Sequence, residues 1–200
     1  MSEIYLDQMR LLLRVLPLIA QEDIFALKGG TAINLFERDL PRLSVDIDLT
    51  YLPFDDRTVA LANIGAALAR LKTKIEKAIT GITVTLVAQS DGTEAKLHCQ
   101  YQRAQIKVEV NTIMRGHIFA PRLMACTDMV QERFETFAEI SVISKGELYG
   151  GKICAALDRQ HPRDLFDVHY LLDDEGLRCG RGPYGWLRST GATMRRNGGL

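Results

Sequence analysis

Arg42-Leu43-Ser44-Val45-Asp46-Ile47-Asp48-Leu49-Thr50-Tyr51 is the stretch on which the fold turns. Val45, Ile47 and Leu49 alternate with Asp46 and Asp48, and a period of two is the signature of a β-strand. A strand from Val45 to Tyr51 presents an aliphatic face for burial against a helix. Its other face carries both carboxylates, about 6.5–7 Å apart along the backbone. Two acids so placed can share a hard cation such as Mg²⁺ or Mn²⁺, which prefers oxygen ligands. On its own the pattern is short, and two solvated surface acids would explain it equally well. The flanking sequence therefore has to decide.

Upstream, Gly29-Gly30-Thr31 is a small-residue turn that opens a helix. Glycines let a phosphate approach the backbone closely, and helix N-terminal amides favour anions. An ordinary turn with a threonine cap is the plain alternative. Downstream, Ile106-Lys107-Val108-Glu109-Val110-Asn111 is a second alternating strand with Glu109 on its polar side. A third carboxylate from a neighbouring strand would complete a two-metal site, with metals ~3.5–4 Å apart. The alternative for Glu109 is an ion pair with Lys107 or with a cross-strand base.

The remaining chain reads as alternating helices and strands. Residues 3–21 form an amphipathic first helix on Ile4, Met9, Leu12, Leu13, Leu16 and Ile19. Residues 24–28 read as a short strand or the end of a turn, and 32–38 as a short helix ended by Pro41. Asp55 to Ile79 is the cleanest helix, with Ala60, Ile64, Ala67, Leu68, Leu71, Ile75, Ala78 and Ile79 in one stripe. Strands follow at 82–89, 95–102 and 105–111, with Ser90-Asp91-Gly92 as a turn between antiparallel partners. A helix lies within 121–135, an apolar run at 140–143, and helices at 145–159 and from Pro162 to about Leu172. After Gly176 the chain holds glycines and arginines without periodicity, an irregular tail that cannot bury enough surface to order itself alone. The expected organisation is a core over 1–120, a helical part over 121–176 and the tail over 177–200. The fold class is α/β (α+β): a mixed or antiparallel sheet flanked by helices, with a helical C-terminal part, whole or truncated.

Composition excludes several classes. Basic and acidic residues balance at 25 each, so no global charge marks a nucleic-acid binder, and a polyanion would need a local patch. Cys99, Cys126, Cys154 and Cys179 form no CxxC pair, which argues against a zinc ribbon or a disulfide framework and for reduced thiols. No stretch reaches the ~18 apolar residues of a membrane span, and no signal peptide is read, so the expected location is cytoplasmic. The four histidines lack metal-ligand spacing. Arg70, Lys72, Lys74 and Lys77 on the long helix could touch RNA, but a solvated helix face explains them better.

Two blocks in this order carry a resemblance. Lys28-Gly-Gly-Thr-Ala-Ile-Asn-Leu with Arg42-Leu-Ser-Val-Asp-Ile-Asp-Leu is the first. Glu147-Leu-Tyr-Gly-Gly-Lys152-Ile-Cys-Ala-Ala-Leu-Asp-Arg159 with Pro162-Arg163-Asp164-Leu-Phe-Asp167-Val is the second. Together, over roughly residues 5–172, they resemble the AbiEii/AbiGii-toxin-type nucleotidyltransferases of the polymerase-β-like superfamily. The resemblance implies that Asp46 and Asp48 bind the metals, with Glu109 as the third metal-side carboxylate where the family often has Asp. Ser44, Gly29, Gly30 and Thr31 would hold the triphosphate, and Lys152 would contact the nucleotide phosphates. Asp167 would be the acid of the last motif, with Arg163 and Asp164 supporting it, and Lys28 and Arg42 supporting the first.

The implied function is transfer of a nucleoside monophosphate from an NTP to an acceptor. That acceptor is expected to be RNA, a tRNA 3′ end. The enzyme would be the toxin of a toxin–antitoxin or phage-defence pair, with a cognate antitoxin encoded separately. In-line attack on the α-phosphorus needs metals to activate the nucleophile and neutralise the pyrophosphate, which fits these acids. Two alternatives remain open: a transferase acting on a small molecule or protein hydroxyl, and an inactive, truncated relative that binds nucleotide.

Overall fold

The aliphatic–acidic alternation at 46–51 forms a central strand of a seven-stranded mixed sheet. The structure, a computed structural model, describes residues 2–88 and 94–175. The expected turn at 90–92, Cys179 and the expected tail at 177–200 lie outside the described residues. In chain order the elements are α1 (Glu3–Ile19), β1 (Phe25–Lys28), α2 (Gly29–Ala32, running into a π-helical turn at Ile33–Glu37) and β2 (Asp46–Tyr51). Then come α3 (Arg57–Ala78), β3 (Thr83–Ala88), β4 (Glu94–Tyr101), β5 (Ala104–Asn111) and β6 (Arg122–Ala125). The last four are α4 (Asp128–Phe134), β7 (Glu139–Val142), α5 (Lys145–Arg159) and α6 (Pro162–Glu175).

The sheet order is β3-β4-β5-β2-β1-β7-β6. β3, β4 and β5 pair antiparallel, as the turn chemistry predicts, while β2 runs parallel to β5 and antiparallel to β1. One face is apolar. Ile47 and Leu49 of β2, Val108 and Ile106 of β5, and Leu97 and Cys99 of β4 are all buried there. α1 and α3 pack on this face, and the α3 stripe of Ala60, Ile64, Ala67, Leu68, Leu71 and Ile75 is fully buried. Burial of this kind is the main term that holds a sheet and helix together. The opposite face carries Asp46 and Asp48, bordered by α2.

Some local expectations need correction. Ile4 is more than half exposed at the first turn of α1 rather than part of its buried stripe, and Ala78 is exposed at the end of α3. The helix expected within 121–135 is Asp128–Phe134, and residues 122–125 ahead of it form the edge strand β6, which the pattern did not indicate. β6 and β7 extend the sheet beyond β1 through Leu27 paired with Val142, so strands from within 121–176 belong to the same sheet as those before residue 120. Three of the basic residues of α3 are engaged at home. Arg70 and Lys74 both bind the carboxylate of Glu22, and Lys72 binds Glu76 and the Val84 carbonyl. No helix among the described residues is long and apolar enough to cross a membrane.

Ile64 is completely buried where α3 meets the sheet. Replacing it with Ala should lower unfolding free energy by about 2–5 kcal/mol, the usual range for truncating a buried Leu, Ile or Met. Urea denaturation followed by circular dichroism would measure this as a lower midpoint at unchanged slope.

Candidate active site

A row of four ionisable side chains crosses the open face of the sheet. Lys28 on β1 is registered with Asp48 on β2, Asp48 with Glu109 on β5, and Glu109 with Lys96 on β4. Registered neighbours project to one side of a sheet, so the charges run positive, negative, negative, positive. Asp46 shares this face two residues before Asp48 and lies beside Lys107. The structure thus brings Asp46, Asp48 and Glu109 into one patch. Glu109 makes a 3.2 Å ion pair with Lys96, the cross-strand base, rather than with Lys107. Among the described residues no group of three His, Cys, Asp or Glu side chains is arranged to hold a metal ion by itself.

Asp48 is the electrostatically stressed member. Burial raises its pKa, Lys28 pulls it back, and Glu109 and Asp46 push it further up. Lys28 is perturbed in the complementary sense: burial lowers its pKa and the Asp48 charge opposes that. Gly29 explains how the chain comes so close to Asp48. It is in the left-handed region, at φ 73°, and a Cβ on it would sit 2.2 Å from Asp48 Oδ2. A side chain is excluded both by conformation and by space. Gly30 is equally confined, since a Cβ there would lie 2.4 Å from Arg42 Nη2.

Thr31 and Ser44 fix the start of β2. Thr31 is fully buried; its hydroxyl donates to the Asp46 carbonyl and lies 3.1 Å from Ser44 Oγ. Asn34, also fully buried, donates from Nδ2 to the Gly30 carbonyl (2.6 Å) and accepts the Arg42 amide at Oδ1 (3.1 Å). The sequence reading missed Asn34, although a lone amide within Ile33-Asn34-Leu35-Phe36 was the available signal.

The second block meets the first through Arg42. Arg42 Nε donates to Asp167 Oδ1 and Nη2 to Oδ2, both at 2.6 Å. Asp167 is 2% exposed and Asp164 1%. Lys152 Nζ binds Asp164 at 2.8 Å and Asp167 at 3.1 Å, and Arg159 Nε donates to Asp164 at 2.7 Å. Lys152 and Arg159 are near enough for their charges to be felt at Asp48. Arg163 points outward and is exposed, so Arg42 takes the partner that an i,i+4 pair would have given Arg163. The start of α5 is tied down by Glu147, whose carboxylate caps Ser144 and the amides of Ile118 and Phe119.

The AbiEii nucleotidyl transferase toxins of type IV toxin–antitoxin systems match this sequence over residues 10–179, which includes every site residue just described. The chain belongs to that family. Among solved structures, the fold is similar to the nucleotidyltransferase toxin MenT4 from Mycobacterium tuberculosis, at a TM-score of 0.62 and 17% identity. The likeness covers 85% of this chain and 57% of MenT4, so the chain spans little more than half of that toxin's length. No curated protein matches the sequence. In this AbiEii-family chain the two sequence blocks meet: the loop before β2 and the α5–α6 hairpin share one buried cluster of charge.

The cluster has a pH signature. Burial alone would raise the Asp164 pKa, but hydrogen bonds from Arg159 and Lys152, with their charges, outweigh it and hold it at about 2. A depressed carboxylate contributes stability above its unfolded pKa, and that contribution is lost as pH falls through the folded value. For Asp164 it amounts to roughly 2 kcal/mol, present above about pH 4 and lost toward pH 2. Acid titration of stability should therefore be steeper for the parent than for Asp164→Asn in this window. A second prediction concerns Gly29→Ala: the added methyl should displace Asp48 and lower the melting temperature of a protein that still folds by circular dichroism.

Proposed function

We propose that this chain transfers a nucleoside monophosphate from an NTP to an acceptor hydroxyl at Asp46 and Asp48. The supporting observation is the registered patch of Asp46, Asp48 and Glu109 against the Gly29 turn, in a chain of a nucleotidyl transferase toxin family. The donor set suits a divalent cation. Mg²⁺ is commonly held by one or two carboxylates with substrate phosphates completing its shell, and one would offset the burial and the neighbouring carboxylates that stress Asp48. Bound there, the cation would neutralise phosphate charge and activate the attacking hydroxyl. Asp46 and Asp48 would be its ligands, and Glu109 would join them once released from Lys96.

Glu109 is also suited to act as general base, since its carboxylate borders the same face and is one-third exposed. Thr31 acts through the backbone of Asp46, and Ser44 through Thr31. Asp167 is a positioning residue: it holds Arg42 and Lys152 and is itself almost sealed from solvent. The acceptor we favour is RNA, a tRNA 3′ end, with the chain acting in the cytoplasm as a toxin, including in phage defence, opposed by an antitoxin encoded separately. The rival is a chain that binds NTP without transferring from it.

Incubation with Mg²⁺ or Mn²⁺, each labelled NTP and total tRNA tests this reading, with an aminoglycoside and no acceptor as parallel arms. Label is expected on tRNA and should fall at least a hundredfold in Asp46→Ala and Asp48→Ala, the scale on which losing a key electrostatic group acts (~10²–10³). NTP binding with no labelled acceptor would favour the rival. Label on the aminoglycoside alone would replace the acceptor.

A further inference from the structure

Two lysines border the carboxylates with opposite surroundings. Lys152, to which the resemblance gives the nucleotide phosphates, is held by two buried carboxylates and its side chain is only 11% exposed. Its charge is already compensated. The Lys28 side chain makes no hydrogen bond or ion pair with any described residue, yet the residue is half-buried and registered directly beside Asp48. Burying a cation without a bonded partner is costly, and such groups are normally completed by an anion. Asp48 lies close enough to share its field but does not bond it. Lys107, beside Asp46, is also without an ion pair, but it is exposed and water screens it.

We propose that Lys28 is the residue that takes the phosphates of the nucleotide, in the place that resemblance assigns to Lys152. The inference rests on the nucleotidyl-transfer reading and names the cation within that site. With the charge of Asp46 and Asp48 taken up by a divalent ion, the half-buried ammonium of Lys28 faces no compensating anion until a phosphate arrives. Its place on β1, across Asp48 from Glu109, puts it on the side bordered by the Gly29 turn. Lys152 instead holds the α5–α6 hairpin to the loop that carries Arg42.

The test is isothermal titration calorimetry with an NTP analogue that cannot be cleaved between its α- and β-phosphorus atoms, in Mg²⁺, and in parallel with inorganic pyrophosphate. Lys28→Met should weaken both ligands by about tenfold or more, the effect of losing one charge-assisted contact. Lys28→Arg should recover most of the loss. Lys107→Met should stay close to the parent. Because the Lys28 side chain makes no hydrogen bond or ion pair, Lys28→Met should remain folded, as circular dichroism would show. The proposal is overturned if Lys28→Met binds both ligands as the parent does, or if Lys107→Met loses as much, which would make net charge rather than position the cause. Absence of nucleotide binding by the parent would overturn the transfer reading as well. Parent binding with an unaffected Lys28→Met overturns only the assignment of Lys28.

Discussion

The two-pronged ion pair between Arg42 and Asp167 joins positions 125 residues apart and sets the shape of the site. One end lies in the loop that feeds β2, two residues before Ser44 and four before Asp46. The other end is the buried face of α6. Paired charges of this kind gain little net stability over an apolar core of the same shape. Removing one partner is costly, about 3–5 kcal/mol, because the other is left buried and uncompensated. The pair therefore specifies an arrangement: α6 can dock only where Arg42 meets it, and the loop can enter β2 only along that path. The Gly30 backbone lies directly under the guanidinium, so the turn bordering Asp48 is held by the same contact.

Charge is divided between two compartments as a result. In the buried one, three cations (Arg42, Lys152 and Arg159) surround two carboxylates (Asp164 and Asp167) with short, directed hydrogen bonds. In the open one, Asp46, Asp48 and Glu109 share a sheet face with Lys96, the exposed Lys107 and Lys28. The first compartment is satisfied. The second leaves Asp46 and Asp48 without an ion pair among the described residues, a condition that a bound cation would relieve. This division is the physical reason to read Lys152 and Asp167 as supports and Asp46 and Asp48 as the reacting edge.

Much of this was legible in the sequence because it depends on local periodicity. The alternation at 45–51 and 106–111 identified both strands, their buried faces and the three carboxylates, and period 3.6 identified α3. β6 was hidden because it is a four-residue edge strand whose burial merely alternates between half-buried and exposed. The π-helical turn at 33–37 was read as ordinary helix because its backbone shift leaves no mark on residue type. The Arg42–Asp167 pair was out of reach for another reason. Nothing in either segment reports which of Arg42, Lys152, Arg159 or Arg163 will be the partner of Asp167. That choice is made by the docking of α6, and it moved Arg163 to solvent.

The central claim is that Asp167 serves the site through Arg42 rather than by touching the reacting groups. A double-mutant cycle on nucleotidyl transfer, with Arg42→Ala, Asp167→Ala and both together, tests it most directly. If Asp167 acts through Arg42, the double variant loses no more than the worse single variant, within about 0.5 kcal/mol. Losses that multiply, with each substitution reducing transfer independently of the other, would contradict the account and return Asp167 to the chemistry itself.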